Sequence, residues 1–114
     1  MRVVYLAAPV RGNVAENVAR AKRWLAWAWR IRDIVPIAPW LTPVELFAAD
    51  ADDDAAAREL GLTRDCAVVA KCDELWLVGG RISDGMRREW VTAMERGVKV
   101  QDLTGLGDEP PGES

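Results

Sequence analysis

The sequence predicts a single α/β domain: a three-layer sandwich with a mainly parallel sheet of about four to five strands. Three observations predict it. Short β-branched and aromatic runs alternate with stretches of helical periodicity, which is the pattern of strand–helix–strand units. The chain of 114 residues is long enough to bury a core and too short for two domains. Half of its residues are hydrophobic and 29% are charged, an ordinary globular balance.

The elements follow in order. "VVYLAAP" (3–9) is a short apolar run closed by proline and reads as a buried strand. Residues 14–31 show helical periodicity, with Val14, Val18, Ala21, Leu25 and Ala28 on one stripe. "DIVPIAPWL" (33–41) is a second strand, and Pro36 points to an irregular or edge position or to the start of the strand. "TPVELFAA" (42–49) predicts a short helix with Thr42 as N-cap and Pro43 at its first position. The polar loop "DADDD" (50–54) leads into a helix over 54–71, with a break expected near Gly61 and a restart capped by Thr63. "ELWLVGG" (74–80) is the third strand, 85–96 a helix stopped by Gly97, and "VKVQDL" (98–103) the last strand. The domain is expected to span 1–104. The Gly/Pro/acid-rich tail 105–114 is expected to be flexible or loosely docked.

In such a sheet the ligand crevice lies beyond the carboxyl ends of the strands. Three segments meet there: "AAPVRGN", "PWLTP" and "GGRISDG". The chemistry open to them is narrowed by composition. The chain has no histidine, so Ser-His-Asp and Cys-His catalysis are excluded and a typical zinc site is not expected. The net charge of −3 carries no basic footprint for a polymeric nucleic acid. No apolar run approaches membrane-spanning length, and the start lacks the form of a secretory signal. Cys66 and Cys72 are poorly spaced for a mutual disulfide, and the expectation is a reduced, cytoplasmic protein.

Carboxylates, hydroxyls, arginines and backbone groups remain. Glu89 falls in the first or second turn of the helix after the third strand, flanking a stripe of Met86, Trp90, Ala93 and Met94. Helix N-terminal amides favour an ionised carboxylate there, as a nucleophile requires. Position and spacing alone favour a solvated acid paired with Arg87, Arg88 or a lysine. Arg11 and Gly12 follow the first strand directly before a helix, where amides and a guanidinium can hold an anion; a surface turn is the plainer reading. Asp65 reads as a cap or first-turn acid after Thr63, or else as a proton donor near the crevice. Asp50, Asp52, Asp53 and Asp54 invite a magnesium reading, with solvated loop acids the plainer one. Trp24, Trp27 and Ile31 form a second stripe on the first helix, rotated from the core stripe. Burial on two sides would then imply a homodimer or higher homo-oligomer.

"VYLAAPVRGN", "IVPIAP" and above all "RDCAVVAKCDELWLVGGRISDGMRREWVTAMERGVKV" resemble the nucleoside 2-deoxyribosyltransferase-like superfamily. The resemblance covers residues 2–101 and is nearest to small bacterial and phage domains related to 2′-deoxynucleoside 5′-phosphate N-hydrolases. It implies a flavodoxin- or Rossmann-like fold and cleavage of an N-glycosidic bond through a glycosyl-enzyme, without cofactor or metal. The family's nucleophile matches Glu89, its base-side aspartate matches Asp65, and Tyr5 matches its first-strand aromatic near the sugar. The nucleotide hydrolases carry a serine where this chain has Ser83 and an Arg-Gly where it has Arg11-Gly12, which implies a 5′-monophosphate at that end. Gly85 matches a family glycine and would allow close backbone approach. Asp84, next to Ser83, would repel a phosphate unless it points away as the helix cap. Trp40 could stack on a base or belong to the core. The implied partner is a small nucleotide or nucleoside. Two readings of other classes stand beside it: a non-catalytic nucleotide-binding or sensing module, and an interaction protein using its tryptophan-rich helix.

Overall fold

The computed structural model of the chain describes residues 1–47 and 55–112. Its elements are β1 (Arg2–Ala7), α1 (Val14–Trp29), β2 (Ile34–Ile37), α2 (Leu41–Phe47), α3 (Ala55–Val69), β3 (Glu74–Leu77), α4 (Asp84–Arg96) and β4 (Lys99–Asp102). The four strands form an all-parallel sheet in the order β2-β1-β3-β4. It is a Rossmann- or flavodoxin-like three-layer sandwich, as the alternation of elements predicts.

The alternation of side chains along the central strands builds two cores. Val4 and Leu6 of β1, with Trp76 of β3, face α1 and pack with Ala21, Trp24 and Ala28. Tyr5 and Ala7 of β1, with Leu75 and Leu77 of β3, face α3 and α4 and pack with Val69, Met86 and Ala93. Pro36 lies in β2, at the sheet edge, where its missing N–H breaks no ladder.

Several sequence expectations are corrected. Thr42 is not the cap of α2: Leu41 already belongs to the helix, and Pro43 occupies the first turn, where an absent N–H is harmless. Helix α3 runs unbroken through Gly61, and the Thr63 hydroxyl donates to the Glu59 carbonyl at 2.9 Å as a residue inside the helix. Asp65 is therefore mid-helical rather than a first-turn acid. Met94, assigned to the apolar stripe of α4, is 64% exposed. The second stripe of α1 does not point away from the core. Trp24 is fully buried, its ring meets Trp27 edge-on at 5.3 Å, and Trp27 and Ile31 pack on the same cluster. An indole at this position spans the gap between a helix of small residues and the sheet, which the spacing rule alone does not register.

After β4 the chain turns back through a short 3-10 turn (Thr104–Leu106), whose entry is fixed by Asp102 Oδ1 accepting from the Thr104 N–H at 3.0 Å. Trp24 Nε1 donates to the Asp108 carbonyl at 2.7 Å, and Glu109 bridges Arg20 at 3.0 Å and Arg23 at 2.7 Å. These contacts lay the segment across the start of the β3–α4 connection. Gly80 has a φ of 84°, and a Cβ there would sit 2.2 Å from Asp108 Oδ1.

Candidate active site

Beyond the carboxyl ends of β1 and β2 the molecule opens into a cleft of about 600 Å³, walled by the β1–α1 loop, α2, α3 and the start of α4. The volume is within the ~300–1,000 Å³ range of small-molecule sites. Six of the nine residues singled out in the sequence line it: Glu89, Asp65, Arg11, Ser83, Gly85 and Trp40. Tyr5 lies behind the wall, fully buried, with its hydroxyl beside Glu89. Gly12 and Asp84 are not in the lining. Gly12, at φ 104°, makes the turn into α1, and Asp84 is an exposed first residue of α4.

Glu89 is the centre of the site. It is 5% exposed, so the solvated reading favoured by spacing is wrong. It sits in the second turn of α4, beyond the first-turn amides whose dipole would stabilise its charge. Burial dominates and pushes its carboxyl up to about 8, against the opposing pull of the Tyr5 hydroxyl, with the nearby Asp65 charge raising it further. The expectation of a carboxylate kept ionised by helix amides is thus corrected. Burial likewise raises Asp65 to about 6, and no charge among the described residues offsets it. Tyr5 is pushed well above the ordinary phenol range, first by burial and then by the charges of Glu89 and Asp65. Its hydroxyl has no partner at hydrogen-bond geometry, although it is near enough to Glu89 for its O–H to favour the carboxylate.

A second buried carboxylate gives the contrast. Glu74, 3% exposed at the opposite end of β3, accepts from Trp76 Nε1 at 3.1 Å and Gln101 Nε2 at 3.5 Å, and pairs with Arg2. Its burial raises its pKa, but these partners outweigh that and hold it below the usual range. Glu74 is a satisfied structural acid. Glu89 has no cationic partner among the described residues and keeps an open side towards the cleft.

The supporting residues have defined local roles. The Ser83 hydroxyl accepts from the Met86 N–H at 3.3 Å and caps α4, and among the described residues its O–H donates to no side chain or carbonyl. A Cβ on Gly85 would come within 3.2 Å of Leu62 Cδ2, so this glycine serves the close approach of α3 to α4. Arg88 clamps the same pair of helices by two bonds to Glu59, at 2.8 and 3.0 Å. Trp40 Nε1 donates to the Leu6 carbonyl at 2.8 Å, which fixes one face of the indole at the cleft wall while it also packs on both cores. The Arg11 carbonyl accepts from Asn17 Nδ2 at 3.0 Å and from Arg81 at 3.2 Å, so the loop is held while the Arg11 side chain lines the cleft. Arg58 and Arg64 of α3 also line it and escaped the sequence reading. Their signal was a helical face, 58-61-65-68 with 64 on its flank, which the expected break at Gly61 concealed.

Asp50, Asp52, Asp53 and Asp54, the magnesium candidates, lie outside the described residues. Among the described residues no group of three or more metal-capable side chains comes together. Cys66 and Cys72 are both free thiols, the second buried. No helix among the described residues is long and apolar enough to cross a membrane.

A family model described as "Domain of unknown function (DUF7768)" matches residues 2–103. No curated protein matches the chain.

Proposed function

The chain belongs to the DUF7768 family, and from the chemistry of its own cleft we propose that it cleaves or transfers at the N-glycosidic bond of a nucleotide or nucleoside. The observation that carries this reading is the pairing of two carboxylates of unlike environment, Glu89 and Asp65, on one cleft, with the buried Tyr5 hydroxyl beside the more buried one. Two carboxyl groups divided between nucleophile and acid are what double displacement at an anomeric carbon needs. The sequence resemblance to the nucleoside 2-deoxyribosyltransferase-like superfamily supports the same assignment.

In this mechanism the Glu89 carboxylate forms a bond to the anomeric carbon as the C–N bond breaks, and Asp65 donates its proton to the departing base. The result is a glycosyl ester on Glu89 and an ionised Asp65. Water or a second base then attacks the same carbon, Asp65 takes up the proton, and Glu89 leaves as the carboxylate. Tyr5 orients the nucleophile. Arg11 and the Ser83 hydroxyl hold the 5′ end, which favours a 5′-monophosphate over a free nucleoside, and Trp40 offers its face to the base. The form that reacts has the pair's shared proton on Asp65 and Glu89 ionised, and in the transition state the positive charge developing on the sugar stabilises that anion. The end product is free base plus pentose, or pentose 5-phosphate from a 5′-monophosphate; when a base is the acceptor it is a new nucleoside or nucleotide.

The test is release of base from a panel of nucleosides and nucleoside 5′-monophosphates, with a second base added to separate transfer from hydrolysis. Glu89→Gln should lower release by about 10³-fold or more, and Asp65→Asn by about 10²-fold. Equal release by Glu89→Gln and the parent protein would remove the nucleophile from the account. Ligand-induced thermal protection without any turnover would instead favour a nucleotide-binding module on the same cleft.

A further inference from the structure

Among the described residues Arg2, Arg20, Arg23 and Arg88 are tied to carboxylates. Two on the cleft wall are not. Arg58 and Arg64 both line the cleft from α3 and, among the described residues, make no ion pair or side-chain hydrogen bond. They do not serve the carboxylate beside them, because burial alone accounts for the behaviour of Asp65. Six residues apart on a helix, their Cα atoms are separated by about 9 Å along its axis, with Gly61 between them leaving open space above the backbone. Arg11, also without an ion pair among the described residues, approaches from the β1–α1 loop. In a chain of net charge −3, three guanidinium groups without a salt bridge among the described residues line one cleft, and Arg58 also acts through its charge on the neighbouring Glu59. Arg11 with Ser83 suffices for one phosphate, which leaves the α3 pair without an assigned ligand group.

We propose that Arg58 and Arg64 form a second anion subsite, so that the cleft takes a nucleotide carrying a pyrophosphate in preference to a monophosphate. The inference rests on the reading of this cleft as a nucleotide site and sharpens its substrate class. One phosphoryl group lies at Arg11 and Ser83, and the next is met by the α3 guanidinium groups, whose forked donors match phosphate oxygens. A cleft of about 600 Å³ accommodates a ligand of this size.

Binding, read by isothermal titration calorimetry, tests this apart from turnover. The probes are inorganic phosphate against pyrophosphate, and the 5′-monophosphates of adenosine and uridine against their 5′-diphosphates. In the parent protein the diphosphate member of each pair should bind at least about tenfold more tightly, with a steeper loss on adding salt. In Arg58→Gln/Arg64→Gln the ratio should fall to within about threefold, and Arg58→Lys/Arg64→Lys should recover part of it. A thermal melt of each variant checks that the fold is retained. Equal affinity for mono- and diphosphates in the parent, or an unchanged ratio in the glutamine variant, overturns the second subsite and leaves the nucleotide reading standing. Failure of every nucleotide to bind overturns the nucleotide reading itself, and this inference with it.

Discussion

Glu89 shows how one residue can trade stability for chemistry. Its carboxyl is raised from its ordinary value to about 8 in the folded protein, so the folded state favours its neutral form. That contribution to stability is fully present below the unfolded value near 4.5 and is lost as the pH rises through about 8. Glu89→Gln removes the dependence. Urea unfolding should find the variant close to the parent at pH 4 and more stable at pH 9, by on the order of 5 kcal/mol. Catalysis has a different dependence, because Glu89 and Asp65 must share one proton. The rate should be bell-shaped in pH, with limbs near 6 and 8 that belong to the pair and not to either residue. A rate that rises without a maximum between pH 5 and 9 would contradict the paired-carboxylate mechanism. The sequence made Glu89 visible as an acid near the crevice, and the resemblance marked it as a nucleophile. Its protonation was not legible there. That depends on Tyr5, Asp65 and the burial they share, contacts that join residues 5, 65 and 89 from three separate elements.

At the scale of elements, α3 and α4 carry the acids and must stay in register. The bidentate Arg88–Glu59 clamp and the close approach at Gly85 hold them together. Two glycine substitutions separate the demands on the chain. Gly61 lies inside α3 with nothing within 4 Å of an added Cβ, so Gly61→Ala should stabilise the fold by about 0.5–1 kcal/mol through helix propensity alone. Gly80, at φ 84° and pressed against Asp108, should respond in the opposite sense. Gly80→Ala should cost about 2 kcal/mol or more, combining left-handed backbone strain with the clash. Thermal melts of the two variants measure both effects. A destabilising Gly61→Ala would restore the broken helix that the sequence suggested. That expectation failed because a glycine weakens a helix by only about 1 kcal/mol, less than α3 regains by packing on α4 and lining one wall of the cleft. The caps of α4 were legible because they are local: Ser83 and Gly97 act within their own turns.

Across the whole molecule, the order of strands and helices, the parallel sheet and the position of the cleft follow from period and alternation in the sequence. The side on which each large residue packs does not. Trp24 was assigned to an outer stripe by its spacing, whereas it fills the space between α1 and the sheet and receives the returning chain at the Asp108 carbonyl. Trp24 is thereby satisfied within one chain, while Trp27 and Ile31 pack on the same cluster and stay half-buried. The same architecture separates two ends of β3: Glu74 locked by Arg2, Trp76 and Gln101 at one, and the open carboxylates at the other. The central claim, that Glu89 is the nucleophile, is tested most directly by intact-mass analysis of protein quenched during turnover of a base-releasing substrate. A mass increase of one pentosyl or pentosyl-phosphate group is expected on the parent protein, located by digestion to the peptide bearing Glu89 and absent from Glu89→Gln. Base release by Glu89→Gln at the parent's rate, with no adduct on either protein, would contradict it.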